Sequence, residues 1–307
     1  MRIVFMGTPD FAVPSLQILL ENGHDIAAVV TAPDKPGGRL GLQASAVKQF
    51  AQQKGLPILQ PEKLRNPDFL QALRDLHADL QVVVAFRMLP EVVWNMPPCG
   101  TLNLHGSLLP KYRGAAPINW AIIRGEKTTG VTTFLLQHEI DTGDILLQQP
   151  ISISPNETAG ELHDRMMIAG AHLVLETVRR LEQNDLLPQP QPDEEATHAP
   201  KLFRETCEIN FHQTSQNLHN FIRGLSPYPG AWTTLHGKTF KILRSSLPTD
   251  TVAKSDKPMG SYATDGKTFL KVKTLDGFLQ LEEVQLEGKK RMSVRELLNG
   301  YSLFETD

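Results

Sequence analysis

Short apolar runs and helical repeats take turns along the first part of this chain. Arg2-Ile-Val-Phe-Met6 is a β-branched and aromatic run closed by Gly7, which predicts a first strand. Residues 11–22 have helical spacing with Gly23 as the stop, and residues 26–31 (IAAVVT) predict a second strand. Strand, helix and strand in that rhythm point to a parallel sheet. Helices are expected over 46–54 and 67–77, with a short strand at 58–59 between them. Residues 80–86 (LQVVVAF) are mostly apolar, as in a strand covered on both faces.

The stretch TLNLHGSLLPKYRGAAPINW, 101–120, begins with alternation: Leu102 and Leu104 are apolar, Asn103 and His105 polar. Side chains two apart on a strand share a face, so the amide and the imidazole point the same way. Gly106, Pro110 and Gly114 mark a loop, and a helix is expected to start near Pro117. VTTFLL (131–136) and 145–153 read as strands around HEIDTGD, and 158–183 is the longest helical pattern. Prolines 188, 190, 192 and 200, with three acids among them, read as a polar linker over 188–205. Beyond it the rhythm changes. A helix near 214–225 precedes short strands at 232–235, 239–243, 269–274 and 278–284, with turns at His236-Gly237 and Asp276-Gly277. The expected organisation is α/β: a mostly parallel sheet domain over 1–187, then a small β-rich barrel or sandwich over 206–307.

Composition narrows the functional classes. At 307 residues, with 40% hydrophobic and 21% charged side chains, the chain suits a two-domain globular protein. Its two cysteines, Cys99 and Cys207, give no disulfide framework and no zinc cluster, and fit a reducing cytoplasm. The start MRIVFMGTPDF has too short an apolar stretch for a signal peptide, and no run of about 18 apolar residues predicts a membrane span. The net charge of −3 argues against indiscriminate nucleic-acid binding. It is uneven: residues 1–204 hold 18 Lys/Arg against 22 Asp/Glu, and residues 205–307 hold 13 against 12, so a local basic surface is possible on the second half.

Several chemistries are excluded by spacing. Gly7-Thr-Pro-Asp10 stands where a dinucleotide fingerprint would begin, but GxGxxG is absent. HEID is not HExxH, the Asp141-Thr-Gly turn has no second copy for an aspartic dyad, and neither GxSxG nor a P-loop occurs. An Asn–His pair on one strand face is commonly structural, and an Asp in a Thr-Gly turn commonly shapes only that turn. In a parallel sheet, however, groups at the carboxyl ends of neighbouring strands meet in one crevice. If strands 80–86 and 101–105 are neighbours, Asn103 and His105 face that crevice and the Asp141 loop can close over it. Asn, His and Asp without an enzyme nucleophile suggest transfer to a nucleophile on the substrate, an amine above all. The Asp takes a proton while Asn and His steady an oxyanion.

Across its whole length the chain resembles the methionyl-tRNA formyltransferase family. The resemblance lies in MGTPDFAVPSL (6–16), PDKPGGR (33–39), NLHGSLLPKYRGAAPINWAI (103–122), GVTTFLLQHEIDTGDIL (130–146) and SPYPGAWTTL (226–235). It implies a Rossmann-like domain followed by an OB-like one, and transfer of formyl from 10-formyltetrahydrofolate to the amine of initiator methionyl-tRNA, without a metal. Its implied catalytic residues are Asn103, His105 and Asp141. The loop Ser107, Leu108, Leu109 and Pro110 is expected to bind folate, and Arg39 in loop 32–45 to contact tRNA. A cytoplasmic monomer with no membrane partner is expected. Two stretches depart from the family pattern: LGLQASAVK after PGGR is less basic, and AFRMLP (85–90) is one residue shorter. The Asn–His–Asp pattern is shared by folate-dependent formyltransferases at large, so the acceptor is read from GTPDF, PGGR and GAAPI. The competing acceptors are glycinamide ribonucleotide, whose enzyme lacks such a tail, and a UDP-amino-sugar. A non-catalytic folate or tRNA module is the reading from another class.

Overall fold

The computed structural model describes residues 1–36, 41–248 and 256–301. Two compact units make up the chain: one takes in Met1–Gly114, Thr129–Ile151 and His163–His198, the other Ala115–Thr128, Ser152–Leu162 and everything from Ala199.

The first unit is built on a seven-stranded sheet. Its strands are β1 (Arg2–Gly7), β2 (Asp25–Val30), β3 (Ile58–Leu59), β4 (Leu80–Val84), β5 (Thr101–His105), β6 (Thr128–Leu135) and β7 (Ile145–Ser152). They lie in the order β7-β6-β5-β4-β1-β2-β3. From β3 across to β5 every pairing is parallel, and β6 then runs antiparallel to β5. Strands 80–84 and 101–105 are neighbours, with Val83 opposite Asn103. This is the mostly parallel, Rossmann-like sheet expected from the strand–helix rhythm.

Helices α1 (Val13–Glu21), α2 (Ala46–Gln53), α3 (Pro67–Asp75) and α4 (Glu91–Trp94) connect these strands, and α5 (Pro117–Ile123) and α6 (Ala159–Glu182) follow. The Ser45 hydroxyl caps α2 by accepting the Lys48 N–H at 3.1 Å, and the Asn66 side chain accepts the Asp68 N–H at the start of α3. Ile3, Val4, Phe5 and Met6 on β1 are completely buried, which is why this strand reads as a continuous apolar run. At Gly7 a Cβ would lie 2.7 Å from Ala12 Cβ and 3.0 Å from Val84 O, so the missing side chain lets strand and helix start close up. Leu104 on β5 lies under α6, where a Cβ on Gly170 would come within 2.7 Å of its Cδ2.

The second unit is β-rich. Helix α7 (Ser215–Gly224) is followed by β8 (Ala231–Leu235), β9 (Lys238–Ser246), β10 (Tyr262–Thr264), β11 (Leu270–Lys273), β12 (Phe278–Leu286), β13 (Met292–Ser293) and α8 (Val294–Gly300). The order is β8-β9-β12-β11-β10, with β13 also on β12, and every pair is antiparallel. Register shifts around Arg244 where β9 meets β12 are the kind of irregularity that curls a sheet, giving the OB-like form. The His236-Gly237 turn has positive φ at both residues, 48° and 74°, as a type I′ hairpin requires. Leu218 and Ile222 of α7, Phe240 and Ile242 of β9, and Leu270, Leu281 and Leu297 pack into one fully buried core. Helix α5 joins this unit: Asn119 Nδ2 donates to Gly224 O at 2.8 Å, and a Cβ on Gly224 would collide with Ile123 at 2.6 Å.

Candidate active site at the carboxyl end of β5

Asn103 and His105 occupy the face of β5 opposite Leu104, which is turned to α6. Antiparallel pairing sets Asn103 opposite Phe134 and His105 opposite Thr132 on β6. The His105 ring meets the Phe134 ring edge-on at 6.5 Å, and Asn103 is half-buried. His105 Nε2 stands 2.9 Å from the carbonyl oxygen of Tyr112. A carbonyl only accepts, so Nε2 carries a proton in this contact. The other ring nitrogen, Nδ1, faces Asp141 Oδ2 at 3.7 Å. In a neutral ring that contact sets a lone pair against a carboxylate, whereas one added proton turns it into an attractive ion pair. The imidazole and the carboxylate thus face each other across this short gap.

Asp141 is held in place by two hydrogen-bonding neighbours, Gly114 and Gln191. Its φ of 57° lies in the left-handed region, which Asp tolerates better than most side chains. The Gly114 N–H donates to Oδ2 at 2.8 Å. Gln191 Nε2 donates to the carbonyl oxygens of Asp141 at 2.9 Å and Gly143 at 2.7 Å. Gln191 Oε1 in turn accepts from Arg113 Nε at 3.0 Å and Nη2 at 2.9 Å. Arg113 is buried and pairs outward with Asp193 at 2.9 Å. Gly143 fits because it has no side chain: a Cβ there would overlap Leu135 O at 1.6 Å. Sequence reasoning found Asp141 but missed Gln191, which sits in the proline-rich stretch and carries no local signal. Arg113 lies within LPKYRG, where the sequence pattern alone assigns it no role.

Residues 107–110 are stitched to the neighbouring strands through one hydroxyl. Thr132 Oγ1 donates to Ser107 O at 2.6 Å and accepts from Leu109 N at 3.1 Å and from Gln148 Nε2 at 3.0 Å. Gln148 Nε2 also donates to Leu109 O at 2.8 Å, and Ser107 Oγ donates to Lys111 O at 2.6 Å. Ser107, Leu109 and Pro110 are buried and Leu108 is half-buried. Arg39 lies outside the described residues. Among the described residues no cluster of His, Cys, Asp or Glu could hold a metal ion, and no helix is long and apolar enough to cross a membrane.

His105 and Asp141 thus meet at the carboxyl end of β5, on the strand face that His105 shares with Asn103. The chain belongs to the formyl transferase family: the formyl transferase model matches residues 1–178, and the model of its C-terminal domain matches residues 201–302. Its relatives narrow this further. The methionyl-tRNA formyltransferase of Parabacteroides distasonis is 53% identical over 98% of this chain and 96% of its own, and that of Bacteroides thetaiotaomicron is 50% identical over 99% and 96%. The resemblance read from GTPDF, PGGR and GAAPI is thus borne out. Among solved structures, that of the methionyl-tRNA formyltransferase from Clostridium thermocellum shares the fold at 17% identity, with a TM-score of 0.57 over 81% of this chain and 94% of that one.

Proposed function

We propose that the protein transfers the formyl group of 10-formyltetrahydrofolate to the α-amine of initiator methionyl-tRNA, giving N-formylmethionyl-tRNA. The observation that carries this is the His105–Asp141 pair beside Asn103, in a chain half identical to methionyl-tRNA formyltransferases over nearly its full length. The amine nitrogen attacks the formyl carbon, and the carbonyl oxygen takes up negative charge. Asn103 donates its amide N–H to that oxygen. His105 has its Nε2 committed to Tyr112, so any donation it makes comes from Nδ1 in the protonated ring. As the new C–N bond forms, the amine proton passes to the His105–Asp141 pair. Breaking the bond to the folate nitrogen then restores the carbonyl, and that nitrogen leaves with a proton.

In this reading the 107–110 loop borders the folate, offering Leu108 and backbone groups, since the Ser107 hydroxyl already donates to Lys111. Arg39 contacts the tRNA, a role that rests on its place in the PGGR stretch. Residues 206–307 serve as the RNA-contacting part, and the enzyme works as a cytoplasmic monomer. A sugar acceptor is disfavoured because the relatives about half identical to this chain over nearly its whole length are methionyl-tRNA formyltransferases.

The test is formylation of charged initiator tRNA by the purified protein with 10-formyltetrahydrofolate, with a nucleotide amino-sugar as the rival acceptor. Asp141→Asn keeps shape and removes the charge, so turnover should drop about 10²–10⁴-fold. Asn103→Ala should cost about 10²–10³-fold in turnover and leave tRNA affinity near wild type. Asp141→Asn with wild-type turnover in a folded protein would reduce Asp141 to a turn residue. Activity on the sugar alone would transfer the enzyme to the other acceptor class.

A further inference from the structure

The second unit carries a groove of about 530 Å³ that the formyl-transfer site does not use. That volume falls within the usual range for small-ligand sites. Its walls combine aromatic rings with cations. Tyr228 stands 82% exposed between Pro227 and Pro229, and Phe203 is 55% exposed. Packing explains neither degree of exposure. Trp232 is half-buried and fixed by donating from Nε1 to Arg204 O at 2.8 Å. The Arg204 guanidinium lies over the Trp232 ring at 5.2 Å, and Lys201 over the Phe203 ring at 5.6 Å. Lys241 Nζ spends one donor on Pro229 O at 2.8 Å and keeps two. Arg204 Nη2 donates to Thr239 Oγ1 at 3.3 Å, and Glu287 of the adjoining cleft, which accepts the Thr239 N–H at 2.9 Å, faces the Arg204 charge, so a phosphate on Arg204 must displace that interaction.

Exposed rings beside cations that keep donors to spare are a means by which proteins hold single-stranded nucleic acid. A base stacks on the ring and its phosphate meets the cation. A paired base has both faces covered by its neighbours, so only an unpaired one can enter. We propose that this groove seats one unpaired nucleotide of the tRNA, its base on Tyr228 and Trp232 and its phosphate on Arg204 and Lys241. The inference rests on the tRNA reading above and deepens it: the second unit then grips an unpaired nucleotide other than the one carrying the methionyl group, rather than only duplex backbone.

The test is equilibrium binding of uncharged initiator tRNA to the full-length protein across a range of salt, with formylation of methionyl-tRNA by the wild type run alongside. Tyr228→Ala should weaken binding about 5- to 100-fold. Tyr228→Phe keeps the ring and should bind as wild type does. Arg204→Gln should flatten the salt dependence by about 0.7–0.9 in log–log slope, the value of one phosphate contact. Adenosine monophosphate should compete with tRNA for the wild type and not for Tyr228→Ala. Because Tyr228 is exposed, the variant should melt with the wild type, so lost binding would not reflect misfolding. Wild-type affinity and salt slope in both Tyr228→Ala and Arg204→Gln, with the wild type formylating methionyl-tRNA, would overturn the groove's role and spare the function. A wild type that formylates only a sugar would overturn both.

Discussion

Gln191 shows what a single side chain does for the site without touching a substrate. Both ends of its amide are saturated, the oxygen by Arg113 and the nitrogen by the Asp141 and Gly143 carbonyls. Gln191→Leu keeps the volume and leaves those groups unpaired in a part-buried setting, at a cost of about 1–3 kcal/mol. Asp141 would then drift from His105, and misplacement by about 1 Å typically costs about 10²-fold in rate. We expect the turnover of Gln191→Leu to fall by that order with tRNA KM little changed. Gln191→Glu, which keeps the Arg113 contact alone, should lie between the two. Equal pH–rate profiles and turnover in all three proteins would show the clamp to be idle. The contrast with the triad is instructive. Asn103 and His105 were legible because strand periodicity puts them on one face. Asp141 was legible only as a polar turn residue: its strand β6 runs antiparallel and ends beside Leu102, and the loop after it carries the carboxylate back to His105. Gln191 reaches the site from 50 residues away in sequence, and its proline-rich surroundings suggested only a linker.

At the scale of elements, the glycine of Asp-Thr-Gly illustrates a role that sequence did not reveal. In the sequence it is simply the last residue of the Asp141-Thr-Gly turn. The structure gives it a steric reason instead, the 1.6 Å overlap that any Cβ would make with Leu135 O. Gly143→Ala must displace backbone of β6 or of the Asp141 loop, since no flexible side chain is there to give way. We expect destabilisation of about 3 kcal/mol, the upper part of the overpacking range, together with loss of turnover. A thermal melt matching the wild type would sink this reading. Many elements were legible to within two residues because their apolar runs are bounded by Gly or Pro, but β6 starts three residues before the expected 131 and β9 ends three after the expected 243. β10 (Tyr262–Thr264) and β13 (Met292–Ser293) are too short for a clear alternation, and α8 carries only the local signal of its reciprocal Ser293–Glu296 capping box.

For the molecule as a whole, buried histidines set the acid side of stability. His219 is almost wholly buried, with Nδ1 on Ser245 Oγ at 3.0 Å and Nε2 on Pro155 O at 3.2 Å. Burial pushes its pKa below the ordinary histidine value, with Arg223 adding to the effect and the Pro155 contact opposing it. His24 is shifted the same way by burial, against the pull of Glu182. Unfolding lets each take a proton near about pH 6.5, which the folded protein resists. Their contribution is therefore present above that pH and lost as pH falls below it toward the depressed folded values. Melting temperature should decline between about pH 7 and pH 5.5, and His219→Gln should make the decline shallower. A variant as steep as the wild type would exonerate His219. The order of segments has a further consequence. The chain passes from one compact unit to the other after residues 114, 128, 151, 162 and 198. Part of what α7 leans on, Ile123 and the Ser154 and Glu157 carbonyls that accept from Arg223, comes from the middle of the chain. No single cut in the gene yields the β-rich unit whole, so shuffling it between enzymes would mean transplanting three separate pieces at once.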